Sequence, residues 1–150
     1  LKDIPKEIAD IDRDGDIDVD DVVLVNEEIA RKVYGYLWGI WGLDRIAVNA
    51  IAVKLFSLAV NAYIVRATKI LQWALYDCGY DLPHSRIGND FDGDLGNETV
   101  WAANDAQPRQ LVIAMRAEWC GFCRRLAEKN PAVYGDDLAG WLKRATDRPY

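Results

Sequence analysis

Apolar residues recur at helical spacing along most of this chain. Between Val19 and Trp38 they stand three or four positions apart, and the same spacing returns after Pro108. The pattern predicts one helix over about 19–38 and a long one from Pro108 to about Lys129, which Asn130-Pro131 ends. Further helices are expected at about 5–9, 44–60, 63–79, 98–104 and 137–144, with Asp3 capping the first and Asp136 or Asp137 capping the last.

Strand patterns are scarce in the same sequence. No pair of segments alternates apolar and polar residues, and the one short apolar run, at 110–115, is ambiguous by itself. Residues 78–97 are rich in Gly, Asp, Asn and Pro, so loops and turns are expected there. The pattern therefore predicts an all-α protein. Its 150 residues have the size of one domain, in which 1–38 form an N-terminal part and 39–150 the helical body.

The stretch 46–65 is apolar enough to raise the question of a membrane span. Lys54 lies in its middle, and Asn49, Ser57 and Asn61 interrupt it. A lysine at the bilayer centre costs about 3 kcal/mol on insertion scales. We therefore expect a central helix that is buried on most sides, and no membrane span.

The net charge of −6 comes from one end of the chain. Residues 1–28 hold eleven acids and three bases, a charge of −8, so the other 122 residues carry +2. No basic stripe with interleaved aromatic residues occurs, and a nucleic-acid partner is not expected. The chain opens on Leu1 with neither Met nor a signal peptide, so we expect a fragment or the mature part of a longer product.

The acidity concentrates in residues 10–21, DIDRDGDIDVDD, which hold seven aspartates and one arginine. The spacing matches the EF-hand loop: Gly15 stands at position 6, where the chain turns sharply, and Ile17 at position 8, where an apolar residue anchors the loop to the core. So many carboxylates repel one another in a compact fold, and a Ca²⁺ ion with six or seven oxygen ligands removes that repulsion. The expected ligands are Asp10, Asp12, Asp14, Asp16 through its backbone carbonyl, Asp18 through water, and Asp21.

Position 12 of this loop is the short Asp21 rather than a glutamate, which makes bidentate binding harder. In this respect the loop resembles dockerin modules and other extracellular calcium loops, and it implies a structural role with weak to moderate affinity. The segment 89–94, NDFDGD, looks like half of a second loop. Gly88 and Thr99 stand where its first and last acids should be, so a turn is expected there instead.

Four later segments match, in order, the pattern of one enzyme family. NEEIARKVYGYLW (26–38) is the first, and LFSLAVNAYIVRATKILQWAL (55–75) follows the pattern L-F-D-x-A-V-N-x-G-x-x-x-A-x-x-x-L-Q-x-A-L. DGDLGNETVWAAN (92–104) follows D-G-x-x-G-x-x-T-x-x-A-x-N, and 116–145 resemble the terminal R-x-x-x-Y-x-x-L-x-x-x-N-P stretch. Together they resemble glycoside hydrolase family 108, the lysozyme-like N-acetylmuramidases of phages and bacteria.

The resemblance implies a lysozyme-like helical fold and an endolysin-type peptidoglycan hydrolase that acts on glycan strands at the bacterial cell wall. The family's catalytic glutamate lies in an E-G-G-Y motif that these residues lack, and Glu27 and Glu28 stand at the wrong place in the pattern. The acid therefore lies on an upstream segment, lies on another piece of chain, or is lost. In the last case the protein is a non-catalytic, calcium-dependent peptidoglycan-binding module.

Other family positions bear on sugar binding and on loop structure. Ser57 replaces an aspartate of the pattern, and Ala62 and Tyr63 replace residues around its glycine. Gln72 and Thr99 are expected to be structural, as an amide that ties off a loop and a hydroxyl at a helix start. Aromatic and amide side chains suit a sugar groove, although each is more often a core or capping residue. The candidates by type are Asn61, Tyr63, Trp38, Trp41 and Trp101.

Cys120 and Cys123 form a C-G-F-C motif, which raises a thioredoxin-like dithiol oxidoreductase as a third alternative. That chemistry needs a strand leading into the motif at a helix N-terminus, and no such strand is predicted. We expect both cysteines inside one helix. A loosely spaced zinc site with Cys78 and His84 is a further alternative. The apolar stripe of this helix is expected at Leu111, Met115, Trp119, Phe122 and Leu126.

Overall fold

The structure, a computed structural model, describes residues 4–146 apart from the side chain at position 144, and most of these residues are helical. The predicted all-α class is confirmed. The chain divides into two compact units, Leu1–Asp44 and Arg45–Tyr150. The predicted cap Asp3 lies outside the described residues. The first unit contains α1 (Lys6–Ala9), α2 (Val19–Leu24) and α3 (Glu27–Ile40).

The helix predicted over 19–38 is in fact two helices, so this prediction was wrong at its centre. Val25 adopts an extended conformation after α2, and Asn26 caps α3 by accepting a hydrogen bond from the N–H of Ile29 at 3.0 Å. An asparagine side chain competes with the helical backbone in this way, and it is favoured at helix starts. Apolar spacing alone did not reveal the break, because the spacing continues across it.

The second unit is built around three helices. These are α4 (Asn49–Ala62), α5 (Ile64–Asp77) and α7 (Pro108–Lys129), which pack against one another. The run at 110–115 belongs to α7 and forms no strand. Three shorter helices complete the unit: α6 (Asn97–Asp105), α8 (Pro131–Tyr134) and α9 (Leu138–Thr146). Its fully buried side chains include Ile51, Leu55, Leu71, Leu75, Leu111 and Met115.

The buried face of α7 is narrower than predicted. Leu111, Met115 and Trp119 are buried as expected. Phe122 and Leu126 are only half-buried, and both line cavities beside the helix. The expected stripe therefore ends near Trp119, and Cys123 continues the buried face instead.

Lys54 is the one charged residue among the buried side chains of α4, with 3% of its surface exposed. Its ammonium group donates a hydrogen bond of 3.0 Å to the carbonyl of Ala145, in the last turn of α9. Carbonyls at a helix C-terminus lack intrahelical partners and carry partial negative charge, so they suit a buried cation. Among the described residues, no helix is both long and apolar enough to span a membrane.

The segment between α5 and α6 forms turns, as predicted, with one small addition. β1 (Arg86–Ile87) and β2 (Asp90–Phe91) pair antiparallel, with Arg86 opposite Phe91 and Ile87 opposite Asp90. A 3₁₀ turn at Pro83–Ser85 precedes them.

A single buried amide ties this segment to the core. The Gln72 side chain, with no exposed surface, donates to the carboxylate of Asp92 at 2.6 Å and lies 3.2 Å from the Thr99 hydroxyl. Its carbonyl oxygen accepts the N–H of Gly93 at 3.0 Å. Gly93 has φ +77°, and a Cβ there would lie 2.6 Å from the carbonyl oxygen of Val65. Gln72 and Thr99 thus have the structural roles that were expected, since both hold the turn at 92–94 against α5 and α6.

Gln72→Leu should lower the free energy of unfolding by about 2–4 kcal/mol, because it leaves the buried Gly93 N–H and the Thr99 hydroxyl without the amide. Urea denaturation measures this value. Gln110→Leu, at an exposed position of α7, is the matched control and should change it by less than about 0.5 kcal/mol. Equal effects of the two substitutions would contradict the role of the buried amide.

Tyr63 joins α4 to α5 in a conformation that suits glycine. Its φ of 69° and ψ of 150° fall in a region that side chains with a Cβ rarely adopt. Its N–H continues α4 by donating to Ala59, and its carbonyl starts α5 by accepting from Ala67. The two helices therefore follow each other with no intervening loop, at the expense of backbone strain at one residue.

Tyr63→Gly should be more stable than Tyr63→Ala by about 1 kcal/mol. Both variants lose the tyrosine ring, so the difference isolates the Cβ at positive φ. Thermal and urea unfolding of the two variants side by side measure it. If the alanine variant is equally or more stable, the junction is not strained.

Candidate functional site

Three carboxylates of the acidic loop converge in the N-terminal unit. Ligand oxygens of Asp10, Asp12 and Asp21 all lie within 4.8 Å of one another. Asp10 ends α1, and Asp21 lies in the first turn of α2, so the two helices bring the ends of the loop together. These are positions 1, 3 and 12 of the predicted EF-hand loop.

Asp21 holds the loop closed. One of its carboxylate oxygens accepts the N–H groups of Ile11 and Asp12, and the other accepts the N–H of Asp18 at 2.9 Å. A carboxylate offers about four acceptor positions, so three of them are in use. The one acceptor position that remains on Asp21 suits a monodentate bond to a cation rather than a bidentate one, which agrees with the short side chain at position 12.

The interior of the loop is turned by its own aspartates. The carboxylate of Asp12 accepts the N–H of Asp14 at 3.0 Å, and that of Asp14 accepts the N–H of Asp16 at 2.8 Å. Gly15 has φ +102°, as the sharp turn at position 6 requires. The ammonium of Lys6 donates to the Gly15 carbonyl. These hydrogen bonds and the turn at Gly15 fix the backbone of the loop between Asp12 and Asp16.

The electrostatics of the cluster are unfavourable without a cation. The N–H of Asp14 lowers the pKa of Asp12, but desolvation and the charges of Asp14, Asp21 and Asp10 together raise it above its ordinary value. The pKa of Asp21 is instead lowered below its ordinary value. The hydrogen bond from the N–H of Asp18 lowers it most, desolvation raises it, and the N–H groups of Ile11 and Asp12 lower it further. Asp12 therefore experiences the like-charge repulsion that a bound cation relieves.

One oxygen in the cluster lacks a hydrogen-bond partner. Oδ1 of Asp10 is buried and accepts no hydrogen bond from any described residue. A buried carboxylate oxygen without a partner is costly, and a hard cation prefers oxygen ligands of this kind. The residues present therefore fit a calcium ion held by Asp10, Asp12 and Asp21. Ligation by Asp14, Asp16 and Asp18 stays a prediction, and the carboxylate of Asp18 caps α2 by accepting the N–H of Asp20.

Ile17 does not anchor the loop as expected. Its side chain is 44% exposed, and it lies at the edge of an open apolar groove of about 310 Å³. Val19, Val22 and Val23 of α2 are also more than half exposed.

The other proposed metal sites find no counterpart among residues 4–146. Asp92, in the suspected second loop, accepts hydrogen bonds from Gln72 and from the N–H of Asp94, which makes the segment a turn as expected. Cys78 and His84 belong to no cluster of ligands there. Burial, and then the charge of Asp77, raises the pKa of the Cys78 thiol, which disfavours the thiolate that zinc binds.

The five sugar-binding candidates are distributed over both units. Trp38 and Trp41 lie at the end of α3 in the first unit. In the second unit, Asn61 donates to the carbonyl of Ser57 at 2.7 Å and lines a cavity, while Tyr63 is 52% exposed at the helix junction. Trp101 is 64% exposed and packs edge-on against Tyr80. No cavity described here is lined by two of them.

The cysteines lie where the sequence predicted them. Cys120 and Cys123 both lie inside α7, roughly three to four turns after its first residue, Pro108. The helix dipole acts within the first turn only, so neither thiol gains from it. Cys123 is 1% exposed and cannot reach a protein substrate. This geometry argues against dithiol oxidoreductase chemistry.

A cleft in the second unit was not singled out from the sequence. It lies between α5 and α7 and is lined by charged and aromatic side chains, among them Arg66, Trp73, Glu118 and Arg125. The signal was present, because these residues recur at helical spacing within each helix. Nothing in the sequence says that the two helices face each other with these sides.

Comparison with family models, with curated proteins and with solved structures finds no match to this chain.

Replacing EDTA with calcium should raise the melting temperature. Calcium at about 100 times its dissociation constant adds about 2.7 kcal/mol to the free energy of unfolding, which corresponds to about 5–10 °C for a chain of this size. Calorimetry measures the shift, and Asp12→Asn should abolish it. Asp20→Asn removes the same charge outside the ligand positions and should retain it. A wild-type melting temperature that calcium leaves unmoved would contradict the site.

Proposed function

We propose that this protein is a peptidoglycan hydrolase of the lysozyme-like muramidase type, with a calcium ion stapling its N-terminal helices. The proposal combines two sources of support. One is the ordered set of segments that resembles glycoside hydrolase family 108. The other is the arrangement of those segments in the structure, which are mostly helical, with a turn at 92–96 before α6.

The Gln72 network is the observation that carries the proposal. The L-Q pair of the second family segment and the D-G-x-x-G-x-x-T residues of the third lie 20 to 27 positions apart in sequence. In the structure, Gln72 of the second segment contacts Asp92, Gly93 and Thr99 of the third within hydrogen-bond distance. Residue types shared with the family are therefore the ones that a single buried amide joins.

The junction at Tyr63 gives independent support. Counting along the family pattern L-F-D-x-A-V-N-x-G from Leu55, the glycine of the pattern falls on Tyr63. Tyr63 has the positive φ that glycine adopts most readily. A backbone shaped for glycine persists here although the residue is tyrosine, as expected of a chain that departs from the pattern at this position.

The chemistry of the proposal requires a protonated carboxylic acid beside the glycosidic bond. No E-G-G-Y motif occurs in the 150 residues, and no residue of this chain is assigned that role. This absence favours a second candidate, a calcium-stabilised peptidoglycan-binding module without catalysis. The two candidates share the ligand and differ in whether the glycan strand is cut.

Purified peptidoglycan sacculi distinguish these candidates. For the hydrolase we expect the protein to sediment with sacculi and the turbidity of the suspension to fall, more in calcium than in EDTA. Sedimentation with unchanged turbidity supports the binding module instead. Cellulose particles are the control for adsorption to any glycan. Failure to sediment with sacculi above the cellulose level would overturn both candidates.

A further inference from the structure

A cleft of about 340 Å³ lies between α5 and α7 in the second unit. On α5 it is lined by Arg66, Lys69 and Trp73, which stand three and four positions apart and so share one face of the helix. Ile70 lies between them and is almost completely buried, which gives the cleft an apolar floor. The cleft is open to solvent, and all its lining residues belong to the second unit.

The facing wall comes from α7. Glu118, Phe122, Arg125 and Lys129 recur at intervals of four, three and four, so they too share one face. A Cβ added to Gly121 would lie 3.2 Å from the guanidinium of Arg125. The guanidinium of Arg125 therefore lies against Gly121, one turn earlier in α7. A residue with a side chain at position 121 would displace it.

The cleft has more positive charge than its own acids neutralise. Four cations line it against two acids, Asp90 from β2 and Glu118. Lys69 pairs with Asp90 at 2.6 Å. Arg125 and Lys129 form no ion pair with any residue that the structure describes between positions 4 and 146. A concave site with an excess of one charge attracts ligands of the opposite charge.

The aromatic rings of the cleft are held in place. Trp73 packs edge-on against Phe91 at 4.9 Å between ring centroids, and its indole N–H donates to Asp90 at 3.1 Å. The guanidinium of Arg66 lies over the ring of Phe122 at 5.1 Å. Rings that are already fixed contact a ligand at little cost in conformational entropy, and the C–H groups of a sugar ring pack on the ring surface that these neighbours leave uncovered.

Two carboxylates complete the set of groups. Glu118 is half-buried, and burial followed by the charge of Asp77 raises its pKa, while Arg125 acts in the opposite direction. Asp90 shows the reverse, since the hydrogen bond from Lys69 lowers its pKa. Both carboxyl groups can accept hydrogen bonds from hydroxyl groups. The cleft thus offers three kinds of group to a sugar: aromatic rings that can contact its C–H groups, carboxylates that can accept hydrogen bonds from its hydroxyl groups, and guanidinium or ammonium groups that can bind a carboxylate on it.

We propose that the cleft between α5 and α7 binds a carboxylate-bearing sugar, with Arg125 and Lys129 holding the carboxylates and Trp73 and Phe122 contacting the ring. On the proposed function, on which this assignment of the source rests, the sugar is the muramyl unit of peptidoglycan with its acidic stem peptide. Arginine binds carboxylates through paired hydrogen bonds, which gives the site a preference for acidic over neutral sugars.

The test uses a soluble muropeptide, a disaccharide that carries the stem peptide, titrated into the full chain by calorimetry. The double variant Arg125→Gln/Lys129→Gln should raise the dissociation constant of the muropeptide about tenfold or more, because two charge-assisted contacts are lost. The matched control, Arg109→Gln/Arg124→Gln, removes the same charge from exposed positions of α7 outside the cleft and should change it less than about twofold. Circular dichroism verifies that both variants retain their helices.

Three further probes decide among ligands. Neutral N-acetylchitobiose should bind at least about tenfold more weakly than the muropeptide. Inorganic phosphate stands for the phosphate of wall polymers, and binding as tight as that of the muropeptide would overturn the carboxylate assignment. Equal loss in the two double variants, or equal binding of the neutral sugar, would overturn the cleft as an acidic-sugar site.

Sedimentation with sacculi separates this inference from the proposed function. If the wild type sediments and the cleft variant sediments equally well, the cleft inference fails and the proposed function stands. If the wild type does not sediment, the proposed function fails. In that case the muropeptide titration still decides whether the cleft binds carboxylate-bearing sugars.

Discussion

The buried amide of Gln72 is the constraint on which the C-terminal unit depends. An amide inside a core must have all its hydrogen-bond partners, since an unpaired polar group there is costly. Gln72 obtains them from the turn at Asp92–Asp94 and from Thr99 at the start of α6. The turn is thereby fixed against α5. Asp90, two residues earlier, comes to lie beside Lys69 and Trp73 on the same helix.

The two units present opposite electrostatic problems. In the first, the ends of a twelve-residue loop bring like charges together, and a buried oxygen of Asp10 is left without a partner. In the second, two helices place four cations around a cleft with two acids. Among the residues that the structure describes, no ion pair involves Asp10, Asp12 or Asp21 in the first unit, or Arg125 or Lys129 in the second. A concave site with an excess of one charge attracts ligands of the opposite charge. The acidic loop therefore favours a cation, and the cleft between α5 and α7 favours an anion.

Much of the fold was predictable because it follows from local rules. Helix α7 runs between Pro108 and Lys129 as predicted, since Pro favours a helix start and Asn130-Pro131 prevents continuation. The buried helix around Lys54 was also predicted, because a lysine in its middle makes a membrane span costly. The break at Val25 and Asn26 was missed, because one side chain that caps a helix outweighs a continuous apolar pattern.

The sequence by itself determined the helical class, the turn near Asp92 and the acidic loop with Gly15 at its sharpest point, because each depends on neighbours within a few positions. The tertiary structure decided which side chains meet. It brought the carboxylates of Asp10, Asp12 and Asp21 together, left Ile17 exposed and placed Trp73 and Arg125 around one cleft. Spacing along a helix says which residues share a face, but only packing says what that face meets.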